Sequence, residues 1–151
     1  KDNATSYNIA TASFTLTNPT RTGYTFKGWT GSNGSRPELE VKIEEGTTGD
    51  LEYTANWIKN PTLSVVSGEL DFANISITGE EGYDLSSVTG YEVYEKVGED
   101  YTLIDTKTLT SEDYNTKVTK NGIYVSRVYI EDDEGIIYSD YSNELVIDQI
   151  A

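Results

Sequence analysis

Apolar and polar side chains alternate along most of the chain, with the period of two that strands show. Tyr24 and Phe26 fall on one face of a short run, and the alternation returns at Leu51, Tyr53, Ala55 and Trp57. No segment before residue 59 has the 3.6-residue period of an amphipathic helix. The pattern predicts an all-β chain of half-buried strands.

The first half of the chain contains several such runs. Strands are predicted at residues 7–9, 14–16, 24–30, 41–43 and 51–58. Residues 31–37 contain Gly, Ser, Asn and Pro without any period, so they are predicted to form an exposed loop.

Trp29 lies out of phase with Tyr24 and Phe26. Gly28 precedes it, and a glycine inside a strand pattern often marks a β-bulge. We predict that a bulge at Gly28 resets the alternation and turns the indole of Trp29 inward.

A boundary is predicted at residues 59–61, where the first pattern ends and Pro61 interrupts any ladder. Seven strand candidates follow, at residues 63–66, 70–77, 88–96, 101–106, 114–118, 123–131 and 136–147. This number of short strands predicts an antiparallel β-sandwich. The predicted domains are therefore a small β module at residues 1–59 and a sandwich at residues 60–151.

Residues 18–29 read Asn-Pro-Thr-Arg-Thr-Gly-Tyr-Thr-Phe-Lys-Gly-Trp, and a Gly-Thr-Thr-Gly-Asp turn at residues 46–50 leads to Tyr53, Ala55 and Trp57. This stretch, which covers roughly the first 58 residues, resembles the internalin B-repeat family, also called the Listeria/Bacteroides repeat. The resemblance implies a small β-grasp-like module in which Trp29 and Trp57 are packing residues. It also implies that the copy lacks its first strand, which would leave an open sheet edge near residues 7–10.

The second half contains Gly-Tyr-Glu-Val-Tyr at residues 90–94 and Tyr-Ser-Asn-Glu-Leu at residues 141–145. It resembles a fibronectin type III or immunoglobulin-like domain. Tyr124 lies six positions after Val118, which is the spacing of that family's tyrosine corner, so the resemblance implies a hydrogen bond from its hydroxyl to the chain upstream. Two features depart from the family: the second strand has no Trp, and Lys120 stands where a Pro is usual.

Charge narrows the range of partners. The 11 basic and 26 acidic residues give a formal charge of -15, which repels nucleic acid and anionic membrane surfaces. Residues 61–151 contain 5 of the basic and 19 of the acidic residues. We expect neither a nucleic-acid partner nor membrane insertion, since no run is apolar enough to cross a bilayer.

Cysteine and histidine are absent. Thiolate chemistry and the commonest general base are therefore not available. Acidic pairs such as Glu80 with Glu81, or Asp132 with Asp133, could in principle cleave glycosides, but two small β modules offer little deep concavity. The sequence predicts no enzyme, and it assigns no catalytic, cofactor-binding or metal-binding residue and no cofactor.

The acidic run Glu131, Asp132, Asp133 and Glu134 has two interpretations. Adjacent carboxylates suit Ca²⁺, although the run lacks the alternating ligand spacing of a helix-loop-helix calcium site. The favoured interpretation is an exposed hairpin turn, because runs of like charge are usually solvated.

Tyrosine is unusually frequent, with 12 residues against 3 Phe. Tyr94, Tyr129, Tyr138 and Tyr141 are predicted to face outward. Exposed aromatic rings stack on sugars or anchor protein partners, whereas cross-strand aromatic pairs stabilise a sheet without a ligand. We favour the packing role.

Covalent cross-links are a further hypothesis. Bacterial surface domains of immunoglobulin-like type sometimes join Lys to Asn or Asp beside a buried Glu, and Lys96, Lys107 and Lys117 lie near predicted strands. Each such bond would lower the intact mass by ammonia or water.

These observations favour a non-catalytic structural or adhesion module of a bacterial surface protein. We expect it to be extracellular, attached to the cell wall or secreted, with further tandem modules and a protein or glycan partner on a host or neighbouring cell. The alternative is a carbohydrate-binding accessory region of a secreted polysaccharide-degrading enzyme.

Overall fold

The computed structural model describes residues 3–4, 6–8, 10–79, 82–108, 114–133 and 135–151. Apart from one 3-10 turn at Leu85–Ser87, the regular structure in these ranges consists of strands in antiparallel sheets, so the all-β prediction is confirmed. No described residue belongs to a helix with the length and apolar character that a membrane crossing requires. Ile9, Glu80, Glu81 and Glu134 lie outside the described ranges.

The chain forms two compact units, Lys1–Lys59 (unit 1) and Asn60–Ala151 (unit 2). The strands of unit 1 are β1 (Phe14–Thr15), β2 (Tyr24–Gly31), β3 (Gly34–Glu38), β4 (Lys42–Ile43) and β5 (Tyr53–Lys59). They form a three-stranded sheet in the order β3-β2-β5 and a two-stranded sheet of β1 with β4. A buried cluster of Leu16, Trp29, Val41 and Ile43 forms the core of this unit.

The bulge at Gly28 is confirmed. The pairing of β2 with β5 shifts register between Phe26 and Gly28, and Trp29 is only 8% exposed. Gly28 has a φ of 126°, and a Cβ at this position would lie 2.7 Å from the backbone nitrogen of Glu38. Only glycine combines this backbone conformation with so close an approach to β3.

Asn18 links the Asn-Pro turn to the core. Its Oδ1 accepts a hydrogen bond from Nε1 of Trp29 at 2.9 Å, and its Nδ2 donates to the Leu39 carbonyl at 2.8 Å. Trp57 is only half-buried and packs edge-on against Phe26, with 5.6 Å between ring centroids. The indole that fills the core is therefore that of Trp29.

The prediction of a loop over residues 31–37 is wrong for most of that range. Gly31 ends β2 and Gly34 begins β3, so residues 32 and 33 alone form the turn of a hairpin. Both glycines have positive φ, 128° and 118°. Residues 34–37 are polar because β3 is mostly exposed. The two glycines allow the chain to reverse direction within two residues.

The open sheet edge predicted near residues 7–10 is absent from the described part of that range. Residues 7, 8 and 10 form no strand, and the Ala10 N–H donates to Asn8 Oδ1 at 2.9 Å. The Asn8 N–H in turn donates to Thr11 Oγ1 at 2.8 Å. Local side-chain bonds of this kind compete with strand pairing.

Unit 2 contains β6 (Ser64–Glu69), β7 (Phe72–Ser76), β8 (Gly90–Val97), β9 (Asp100–Thr108), β10 (Thr116–Val118), β11 (Gly122–Asp132), β12 (Gly135–Tyr138) and β13 (Leu145–Ile147). One sheet has the order β10-β7-β6, and the other has the order β12-β11-β8-β9 with β13 also paired to β11. The Tyr114 carbonyl accepts hydrogen bonds from Ser76 and Tyr91, and so links the two sheets. This arrangement is consistent with a β-sandwich.

All seven strands predicted for the second half are present, but the last is divided into β12 and β13. Between them, the hydroxyls of Ser139 and Ser142 accept hydrogen bonds from the N–H groups of Val128 and Ser126, at 3.0 and 2.9 Å. These side chains satisfy backbone donors of β11 where strand pairing is interrupted.

The hydrogen bond implied by the tyrosine-corner spacing is confirmed. The hydroxyl of Tyr124 donates to the Lys120 carbonyl at 2.6 Å, and the ring is 3% exposed. The contact ties the start of β11 to the turn before it.

We predict that Trp29→Ala lowers the free energy of unfolding by about 3–5 kcal/mol, because it leaves a cavity in the core of unit 1. Trp57→Ala is the matched control and should cost clearly less, since that indole is half-exposed. In each variant the remaining tryptophan reports unfolding of unit 1 by fluorescence during urea titration. Equal losses in the two variants would contradict the assignment of Trp29 as the core residue.

Candidate interaction surface

Five tyrosines lie on one face of the five-stranded sheet, around a single arginine. We call this surface the tyrosine face. Its members are Glu92, Tyr94, Tyr101, Arg127, Tyr129, Tyr138 and Tyr141.

Strand pairing explains why these side chains share a face. On β8 and β11, Val93 pairs with Ser126, whereas Glu92 pairs with Arg127. Val93 and Ser126 are fully buried, so Glu92 and Arg127 lie on the opposite face of the sheet. The pairing of Tyr129 with Tyr138 extends that face onto β12.

Arg127 is the centre of the tyrosine face. Its guanidinium lies 3.7 Å from the ring centroid of Tyr138 and 5.2 Å from those of Tyr94 and Tyr141. Its Nε donates to Glu92 Oε1 at 3.2 Å, and its Nη2 donates to the hydroxyl oxygen of Tyr94 at 2.9 Å. The cation is therefore held by both a carboxylate and aromatic rings.

Tyr94 is the most constrained of the five tyrosines. Its hydroxyl donates to Glu92 Oε1 at 2.5 Å, and its ring lies 5.6 Å from that of Tyr141. Burial, together with the hydrogen bond to Glu92, raises the pKa of Tyr94 to about 12. At neutral pH the phenol is a fixed hydrogen-bond donor.

The prediction that Tyr94 and Tyr129 face outward holds for the direction of their side chains, but both rings are only 8% exposed. Arg127 and the ring of Tyr141 pack against Tyr94, and the ring of Tyr138 packs against Tyr129, so these two tyrosines cannot serve as open platforms. Tyr101 is 40% exposed, and its ring lies 4.5 Å from that of Tyr141. Tyr138 and Tyr141 are partly exposed, so Tyr101 on β9 is the most accessible of the five rings.

Sequence reasoning did not single out Tyr101 or Arg127. Arg127 is in phase with Tyr129 along β11, which was a usable signal that it lies among aromatic rings. The accessibility of Tyr101 depends on β9 being an outer strand of its sheet, which no local pattern reveals.

The acidic run lies in a hairpin, as the favoured interpretation predicted. Asp132 ends β11 and pairs with Gly135, the first residue of β12. Over the described residues, no three Asp or Glu side chains come close enough to hold a metal ion. Glu134, the last residue of the acidic run, lies outside the described residues.

The lysines considered for covalent cross-links lie beside carboxylates or an aromatic ring. Lys96 Nζ lies 2.6 Å from Glu144 Oε2, and Lys107 Nζ lies 3.4 Å from Asp105 Oδ2. Lys117 Nζ lies 4.5 Å from the ring centroid of Phe72. Lys96 therefore contacts a Glu, and Lys107 a neighbour on its own strand.

A concavity of about 380 Å³ opens on unit 1. Phe14, Leu16, Ile43 and Leu51 contribute apolar lining, and Asp50 is the one carboxylate among the described residues that line it. Catalysis by paired carboxylates needs two such groups facing each other. Among the described lining residues, no second carboxylate faces Asp50.

Comparison with models of protein families, with curated proteins and with solved structures gives no match to this chain.

We predict that Tyr94→Phe removes a late step from the alkaline titration of tyrosine, followed by ultraviolet absorbance of the phenolate. Because the folded state raises the pKa of Tyr94 from 10.0 to about 12, its contribution to stability is complete below pH 10 and is lost as pH rises through about 12. The stability advantage of the wild type over the variant should fall by about 1.4 kcal/mol per pH unit in that window. An advantage that does not change with pH would contradict the buried environment of this hydroxyl.

Proposed function

We propose that the chain is a non-catalytic structural or adhesion segment of a bacterial cell-surface or secreted protein, which spaces or presents a binding surface. In this proposal, unit 1 is a β-grasp-like B-repeat module and unit 2 is a fibronectin type III-like sandwich. The sequence resemblance supplies both assignments. The chain would lie outside the cell, attached to the cell wall or secreted, among further modules of the parent protein.

The observation that carries the proposal is that the conspicuous side chains of both units are engaged in internal contacts. Trp29 fills the core of unit 1, and the hydroxyl of Tyr124 pins the start of β11. On the tyrosine face, Arg127 is paired with Glu92. Side chains used in this way stabilise two small units and leave their surfaces for contact, which suits a spacer or a presenting module.

The B-repeat assignment gains support from the roles of its motif residues. Asn18 bonds both the Trp29 indole and the chain at Leu39, and Gly28 allows the bulge that turns Trp29 inward. The residues that carry the resemblance are thus the ones on which the core geometry depends.

The fibronectin-like assignment gains similar support from residues 141–145. Tyr141 packs against Tyr94 and Tyr101, and Ser142 accepts the Ser126 N–H. Asn143 forms two hydrogen bonds with the backbone of Leu63, at 2.9 and 3.1 Å, and Glu144 pairs with Lys96. Each of these four residues holds the last part of the chain to another element of unit 2.

We predict that cells displaying the chain attach to a host-cell monolayer better than cells displaying an unrelated spacer of equal length. Attachment should fall when residues 60–151 are replaced by such a spacer, because that half carries most of the charge and the exposed aromatic surface. If the replacement leaves attachment unchanged, the adhesive role of this unit is wrong and a spacing role remains.

The alternative function, carbohydrate binding beside a secreted polysaccharide-degrading enzyme, is favoured by one observation. Tyr101 is 40% exposed next to Tyr141, and such paired rings can stack on sugars.

Under this alternative, we predict that the chain binds glycans on an array and that Tyr101→Ala weakens this binding by about tenfold. Tyr24→Ala in unit 1 is the control. A blank array, with tyrosine and tryptophan fluorescence unmoved by oligosaccharides, would contradict this alternative.

A further inference from the structure

Strand β9 is an outer strand of the five-stranded sheet. It is nine residues long, and among the described residues no strand pairs with the side of β9 that faces away from β8. The free N–H and C=O groups of such an edge invite pairing with another chain, and most proteins block them.

The second half of this edge is blocked. Asp105 pairs with Val93 and Leu103 pairs with Tyr94, so Ile104 is an extra residue that bulges from the ladder. The Thr106 N–H donates to Asp105 Oδ1 at 2.9 Å, which occupies a backbone donor that does not face β8. A bulge and a charged side chain are two of the devices that prevent edge pairing.

The first half of the edge is open. Val97 and Asp100 pair across the two-residue turn that joins β8 to β9. The pair that closes a two-residue turn is hydrogen-bonded, and hydrogen-bonded and non-bonded pairs then alternate along an antiparallel ladder. Tyr101 and Leu103 belong to non-bonded pairs, so they direct their N–H and C=O groups away from β8. Their side chains are also exposed, at 40% and 49%.

The charge of unit 2 favours a basic partner for this edge. Residues 60–151 contain 19 acidic but only 5 basic residues. All five basic side chains are engaged in contacts that the structure describes, four in ion pairs and Lys117 over the ring of Phe72. The remaining acidic groups repel anions and attract a cationic chain.

A second copy of the chain fits this edge poorly. Pairing of residues 100–103 with the same edge of a second copy would bring together two units that each contain 19 acidic and 5 basic residues. Repulsion between two units of the same negative charge opposes this pairing.

We propose that residues 100–103 of β9 form a pairing site for an extended basic segment of a partner protein, which adds a strand to the five-stranded sheet. Apolar side chains of the added strand lie beside Tyr101 and Leu103 and continue the tyrosine face, while its Lys or Arg side chains meet the acidic surface. This proposal rests only on the geometry and charge of the edge. A failed adhesion assay would therefore not contradict the pairing site, and failure of peptide binding would not contradict the structural role of the chain.

The test uses the full chain and a short peptide of alternating Lys and Val residues, with binding followed by calorimetry. Peptide binding should slow the hydrogen exchange of the Tyr101 and Leu103 amides and weaken as salt is raised. Leu103→Pro, which removes an outward N–H, should weaken binding by about tenfold, whereas Leu103→Thr keeps this N–H and should bind more tightly than the Pro variant. Leu103→Lys leaves the backbone intact and serves as a second variant if the proline disturbs folding. It replaces an apolar side chain of the site with a positive charge, so it should weaken binding of the cationic peptide, and unchanged affinity would overturn the proposal.

Several results would overturn the proposal. They are the absence of peptide binding, equal affinity for a peptide of alternating Glu and Val, unchanged affinity in a folded Leu103→Pro variant, and amide protection elsewhere than at β9. Sedimentation showing that the chain dimerises through β9 without peptide would also overturn it, because a second copy would then be the occupant.

Discussion

The register of β8 against β11 is the constraint on which most of unit 2 depends. Seven residue pairs run from Ile123 with Lys96 to Tyr129 with Gly90. This register sends Val93 into the core and sets Glu92 beside Arg127 on the other face. A slip of one residue would exchange the two faces, placing the Arg127 charge in the core and Val128 among the tyrosines. Both faces therefore specify the same register, one by apolar packing and the other by a charge pair within aromatic rings.

Period and turn chemistry were sufficient to predict the strands of unit 2 and the bulge at Gly28, because each depends on residues close together in the sequence. The loop prediction at residues 31–37 failed because exposed β3 has no buried face, so its composition resembles that of a loop. The division of the last strand was also missed. There, the hydroxyls of Ser139 and Ser142 accept hydrogen bonds from β11 that a paired strand would otherwise accept. A serine within an alternating pattern does not by itself indicate that role.

The candidate surface was predictable only in part. Alternation correctly placed Tyr94 and Tyr129 on the face opposite the core, yet it could not show that they are covered. Tyr94 is covered by Arg127 and by rings from β9 and from the segment before β13, which are distant from it in the sequence, whereas Tyr129 packs against Tyr138 of β12. Burial of a ring on an outward face is thus a tertiary property, and local periodicity does not determine it.

The net charge of unit 2 bears directly on the pairing proposed at β9. Each basic side chain is held by a neighbour, so little positive charge remains to offset the acidic surface. A net charge of this size favours solubility and disfavours self-association. It also draws cationic chains toward the surface before any specific contact forms, which raises association rates more than affinity. In the proposed pairing, affinity comes from short-range contacts, which the outward backbone groups of Tyr101 and Leu103 supply beside their own exposed side chains. The proposed pairing therefore requires two properties of one partner: a positive charge, which the acidic surface attracts over a distance, and an extended conformation, which the edge of β9 binds on contact.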